Sequence, residues 1–202
     1  AESFNRDVMK EDLLRKCIDE IAEKFGRLDI LVNCAYTGPT PEIDKACFED
    51  FNKGFNNGAT SYAIAAQQAV KHMRKTGGGR IINIGSMYGM VTGYPEVYEG
   101  LTAPTSIVYQ AMKASVIHMT KYMAVYWAKD NIRVNCISPG PFLQRDLLKK
   151  MPEFAARISK KVPMGRFGQA NEIKGAVLLL ASDASSYITG HNLVVDGGWT
   201  AW

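Results

Sequence analysis

The chain has 202 residues, is 47% hydrophobic and carries a net charge of +4 with both signs dispersed along it. That is enough apolar material for one sizeable core, and too little concentrated basic charge for a dedicated nucleic-acid binder. Its three histidines form no metal-ligand cluster, and Cys17, Cys34, Cys47 and Cys136 show no Cys-x-x-Cys spacing, so no metal site is expected and the thiols read as reduced in a cytoplasmic protein. No stretch approaches the ~18 apolar residues of a membrane span, and no signal peptide is present, so no membrane is expected as a partner.

Taken in chain order, Glu11–Phe25 places Leu13, Leu14, Cys17, Ile18, Ile21 and Phe25 at helical spacing, and Gly26 closes the helix. Leu28–Val32 is a short apolar run of the kind a buried parallel strand shows. Phe48–Lys75 reads as largely helical, weakest at Asn56-Asn57-Gly58. Arg80–Gly85 is a second buried strand, and 86–107 is long and irregular. A helix then runs to about Ala128. Ile132–Ile137 is a third strand, Glu172–Ala181 a helix and Leu193–Val195 a last short strand. Gly77-Gly78-Gly79 precedes a strand, and so reads as the turn feeding Arg80 into it. Alternating strands and helices imply an α/β fold, a doubly wound parallel sheet within a single domain spanning 1–202.

Ligands of such sheets bind beyond the carboxyl ends of the strands. Small and polar residues stand at three successive ends: Asn33-Cys34-Ala35, Ser86, and Ser138-Pro139-Gly140. Of nine tyrosines, only Tyr109 has a lysine four residues later, Lys113, on the same helical face. A cation there is expected to lower the phenol's pKa and yield a proton donor usable near neutral pH.

These residues resemble the short-chain dehydrogenase/reductase family over essentially the whole chain. Asp7-Val8 resembles the family's adenine-side pair, and Asn33-Cys34-Ala35 its Asn-Asn-Ala-Gly, with Cys34 and Tyr36 as departures. Asn56 is similar to the catalytic asparagine, although Asn57 beside it allows a register shift of one. Ser86 matches the catalytic serine, and Tyr109 to Lys113 the Tyr-x-x-x-Lys element. Asn131–Gly140 and Val195–Gly198 are two further blocks. The resemblance implies a Rossmann-like fold and NAD or NADP as cofactor, with a small carbonyl or alcohol compound as substrate. It implies a Ser86, Tyr109, Lys113 and Asn56 catalytic set, with Asp7, Val8, Asn33, Ala35, Tyr109, Lys113, Pro139, Gly140 and Phe142 against the cofactor. Association into a homo-oligomer through the Tyr109 helix is also implied. Met112, Val116, Met119, Met123 and Trp127 form an apolar stripe there, read as core or subunit interface.

The departures carry expectations of their own. Ser86 and Tyr109 lie 23 positions apart, wider than the family's usual spacing. The intervening Tyr-Glu-Gly-rich segment is similar to reductases associated with flagellin or nonulosonic-sugar modification. Gln144 stands where the family commonly has a threonine against the nicotinamide amide. No glycine-rich phosphate loop occurs, although it must follow a strand and open a helix. The chain therefore reads as N-terminally incomplete by a βαβ unit of ~30 or more residues, which leaves the strand at 28–32 as an open edge. Loss of that loop keeps open the alternative of a catalytically inactive, family-derived binding or regulatory protein. The basic segment 145–166 (Arg145, Lys149, Lys150, Arg157, Lys160, Lys161, Arg166) reads as an amphipathic helix with a solvated basic face, and admits an acidic substrate.

Overall fold

The computed structural model describes residues 1–142 and 149–201. Four strands, β1 (Ile30–Asn33), β2 (Gly79–Ile84), β3 (Ile132–Pro139) and β4 (Asn192–Val195), form one parallel sheet in the order β1-β2-β3-β4. Helices α1 (Glu11–Phe25), α2 (Phe48–Phe55), α3 (Ser61–Lys75), α4 (Pro95–Tyr98), α5 (Ile107–Trp127), α6 (Pro152–Lys161) and α7 (Lys174–Ala181) complete the described framework. This is the Rossmann-like α/β arrangement expected from the alternation of strands and helices.

Side chains alternate across the strands, and the alternation assigns the layers. Leu31, Ile81 and Val134 are neighbours in register and pack under α3, α5 and α1, with Ala66, Ala69, Met73, Met123, Trp127 and Ile18. Ile82, Ile84 and Ile137 face the opposite way and are covered by Leu180, Val177 and Ala176 of α7. The connections β1-α3-β2 and β2-α5-β3 thus cross one face and β3-α7-β4 the other, although all three step the same way along the sheet. The last crossover must have the opposite hand to the first two, against the usual right-handed rule.

Close helix packing depends on two glycines one turn apart. A Cβ on Gly54 would meet Val108 Cγ1 at 2.2 Å, and one on Gly58 would meet Met112 Sδ at 2.3 Å. Between α2 and α3 the chain forms a π-turn, Asn56–Thr60, at the weak point in the helical pattern. The turn widens the helix by one residue and re-aims the side chains that follow. The stripe Met112, Val116, Met123 and Trp127 lies in the core, whereas Tyr122, Val125 and Tyr126 on another face of α5 are exposed.

The sheet is covered unevenly. At the β1 edge, Ile30 and Val32 are 42% and 43% exposed, because α7 covers β2 and the strands beyond it on that face. Gly77 and Gly78 adopt φ of 85° and 137°, and a Cβ at Gly78 would lie 2.4 Å from Asn131 O. They form the turn into β2, as their place before a strand indicates.

Candidate active site

The site grows from the carboxyl end of β2. Ser86 follows that strand, is buried, and its Oγ accepts a hydrogen bond from Tyr88 N at 3.1 Å. Accepting that bond leaves the serine O–H free to donate. The Ser106 hydroxyl accepts from Val108 N at 3.2 Å and starts α5, whose first turn carries Tyr109. Tyr109 stands near enough to Ser86 for the serine hydroxyl to lower its pKa. One turn on, Lys113 is 2% exposed and its Nζ donates to Ile84 O at 2.6 Å, two residues before the serine. The Tyr109, Tyr36 and Tyr62 rings surround that ammonium at 5.8, 5.8 and 5.5 Å, close enough for cation–π attraction. Ser86, Tyr109 and Lys113 are thus brought together by two consecutive elements.

The electrostatics depart from expectation. Burial pushes the Lys113 ammonium down to about 8. Burial also raises the Tyr109 phenol above its ordinary value, and the neighbouring Ser86 hydroxyl offsets only part of that. The expected lowering of the tyrosine by the lysine does not appear; desolvation wins, with Lys113 buried and Tyr109 half-buried.

Asn56 is exposed, whereas Asn57 is 1% exposed and its Oδ1 is buried without a hydrogen-bond partner. The π-turn turns the second asparagine inward. A buried acceptor without a partner is costly. Asn57 is therefore a group poised for a water or ligand.

Val8, Asn33, Cys34 and Ala35 line one cleft of about 170 Å³ beside β1. Asp7 Oδ1 accepts Met9 N at 3.0 Å and shapes the turn into α1. Cys34 is exposed at the edge of the sheet. Asn33 Nδ2 donates to Asn83 Oδ1 (2.8 Å) and Asn83 Nδ2 to Thr120 Oγ1 (3.0 Å), tying β1 through β2 to α5. Sequence gave no sign of this buried polar relay, whose partners are 50 and 37 residues apart.

The block around β3 ties the strand to β4 at its carboxyl end and to the 180–188 segment at its start. Ser138 Oγ donates to Asn192 Oδ1 at 2.7 Å, and Arg133 donates to Ser185 Oγ, Ile188 O, Leu180 O and Ser182 O. Gly140 is obligatory for contact: a Cβ there would lie 2.5 Å from Asp196 Cα. Pro141 and Phe142, next to Pro139-Gly140, line a small recess with Asp196 and Gly197. Gln144, with Arg145 and Leu147, lies outside the described residues.

The segment between Ser86 and Tyr109 is ordered, not irregular throughout. It contains a 3₁₀ turn, Met87–Gly89, and the short helix α4. Tyr88 and Tyr98 share a 2.5 Å hydroxyl contact, and Tyr98 reaches Thr105 Oγ1 at 3.1 Å. Trp199, 1% exposed, packs against Tyr88 and Tyr94 from the far end of the chain. Nor is the basic face of α6 merely solvated. Arg157 Nη1 donates to Glu96 O and Glu99 O at 3.0 and 2.7 Å, and Lys161 pairs with Glu96 at 2.7 Å over the Tyr94 ring.

A parallel sheet with a Ser-Tyr-Lys cluster at a strand end defines a Rossmann-type oxidoreductase. The enoyl-(acyl carrier protein) reductase family matches residues 1–200. The chain is 34% identical over 193 residues to the 3-oxoacyl-[acyl-carrier-protein] reductase FabG of Thermotoga maritima, covering 95% of this chain and 74% of that one. A short-chain dehydrogenase of Leptospira borgpetersenii solved with NAD⁺ superposes with a TM-score of 0.88 at 31% identity, covering 98% and 74% of the two chains. A gluconate 5-dehydrogenase of Burkholderia cenocepacia solved with NADP and tartrate gives 0.86 at 32%, covering 98% and 75%. The chain belongs to the short-chain dehydrogenase/reductase family, which comprises NAD(P)-dependent oxidoreductases acting on small molecules. The comparisons lend no support to a catalytically inactive protein. No described helix is long and apolar enough to cross a membrane.

Proposed function

We propose that the protein interconverts a carbonyl and an alcohol with NAD or NADP, using Ser86, Tyr109 and Lys113. The observation that carries this is the junction at the end of β2, where Tyr109 stands beside Ser86 and Lys113 bonds Ile84 O at 2.6 Å. The cofactor's nicotinamide supplies the hydride in reduction and accepts it in oxidation. Ser86, with its O–H free, donates to the carbonyl oxygen where negative charge builds. Tyr109 delivers the proton; its raised pKa keeps the phenol protonated at neutral pH, the form reduction needs.

Lys113 spends one of its three donors on Ile84 O among the described residues, which fits a further bond to the cofactor's ribose. Asn57, rather than Asn56, anchors the water that relays protons to Lys113, in keeping with its buried unpartnered Oδ1. Val8, Asn33 and Ala35 serve the adenosine side of the cofactor, with Asp7 shaping the approach. Pro139, Gly140 and Phe142 serve the nicotinamide side. The exposed Tyr122, Val125 and Tyr126 on α5 support a homo-oligomer. The single four-stranded sheet supports one catalytic domain over 1–202, and four free cysteines support a cytoplasmic setting.

Tyr109→Phe removes only the hydroxyl. Its kcat/KM is expected to fall about 10²–10⁴-fold with an unchanged circular dichroism spectrum. Full turnover in that variant would sink the assignment.

A further inference from the structure

Above Tyr109 lies a cavity of about 520 Å³, walled by Tyr36, Tyr98, Met151 and Phe154 and floored by the Thr102–Ser106 segment. That size falls among pockets that enclose most of a small ligand. None of the described residues lining it is charged. Its aromatic walls are held in place: Tyr36 packs on Tyr109 with ring centroids 5.4 Å apart, and Tyr98 on Phe154 at 5.6 Å. The hydroxyl of Tyr98 is committed to Tyr88 and Thr105.

Two cations of α6, next to the Tyr98–Phe154 wall, are committed to other partners. Arg157 donates to the carbonyls of Glu96 and Glu99 and to the Glu153 carboxylate, and Lys161 pairs with Glu96. They clamp the segment that carries Tyr98 onto α6. A carboxylate entering this cavity would meet no cation among its described lining residues, whereas a ring would meet aromatic side chains on two sides.

We infer that the site takes a neutral carbonyl compound bearing an aromatic or alicyclic ring, recognised by packing between Tyr36 and the Tyr98–Phe154 wall. This rests on the carbonyl-alcohol reading above and specifies its substrate class. An acidic substrate, which the basic composition of 145–166 admits, does not suit this lining.

The test uses the full chain with NADH and NADPH, and acetophenone and 4-acetylbenzoate as probes that differ only in a carboxylate. Binding is measured by calorimetry and turnover by cofactor absorbance. Acetophenone is expected to bind and react at least about tenfold better than the acid. Tyr98→Arg is expected to reverse that order. Phe154→Ala, at a half-buried position, is expected to weaken acetophenone several-fold and provides a second variant should Tyr98→Arg not fold. Equal or tighter binding of 4-acetylbenzoate by the unmodified protein, or no binding of acetophenone, overturns the inference. Tight binding of acetophenone without turnover upholds the cavity assignment and counts against the oxidoreductase reading instead.

Discussion

The two sides of the Tyr109 cavity are built on different principles. The proposed reacting side, Ser86, Tyr109 and Lys113, comes from β2 and the helix that follows it, with Lys113 reaching back to Ile84 O. The opposite wall joins α4, α6 and Trp199, elements separated by up to a hundred residues. The reacting side is held by one strand, one helix and a four-residue spacing. The wall is held by aromatic packing and by Arg157 on two backbone carbonyls. Chemistry therefore sits on rigid local geometry, while shape selection sits on long-range contacts that can change without disturbing it.

This contrast can be broken most forcefully at Trp199. Trp199→Ala removes a side chain that is 1% exposed at the centre of the wall cluster. A loss of ~3–5 kcal/mol in stability is expected, read by denaturant unfolding, with KM rising more than kcat falls. A kcat loss matching that of Tyr109→Phe would show that the two sides are not separable.

The reacting side has its own signature in pH. The Lys113 ammonium is pushed down to about 8 from 10.5, so between those values the unfolded chain binds more protons than the folded one. Stability must then rise with pH across that window, and below about 8 the folded state bears the cost of a buried charge. Relative to Lys113→Met, the unmodified protein is expected to gain about 3 kcal/mol from pH 8 to 10.5. Unfolding curves that keep a constant gap between the two proteins would contradict this.

The smallest effect is expected at the rim of the wall. Lys161 is a third exposed where it meets Glu96 and the Tyr94 ring. Lys161→Met keeps the aliphatic stem and should cost no more than ~1 kcal/mol, with a slight increase in KM. A larger loss would mean that the clamp, rather than the aromatic packing, holds α4.

Much of the framework was legible because it is periodic. The helix Glu11–Phe25 has the bounds its spacing indicates, and the weak point at Asn56–Gly58 became the π-turn. The strands shifted by one or two residues: β1 begins at Ile30 and β3 runs on to Pro139, where pairing with β2 and β4 sets the ends. The choice between Asn56 and Asn57 was not legible, since adjacent asparagines differ only in which way the turn faces them. Charge counting misread Arg157 and Lys161 as solvated, because their partners are carbonyls and a ring from another segment. Trp199 and the Asn33–Asn83–Thr120 relay carried no local signal at all.

By itself, then, the sequence determined the α/β alternation, the family and the Ser86-Tyr109-Lys113 constellation, because each depends on residue type and short spacing. Tertiary structure alone decided that burial raises Tyr109 despite Lys113, that Asn57 is the inward asparagine, and that the cavity wall is aromatic and uncharged among its described residues. The reason is physical. Spacing along a helix places two groups on one face, but only packing determines how far water is excluded from them and what lies opposite.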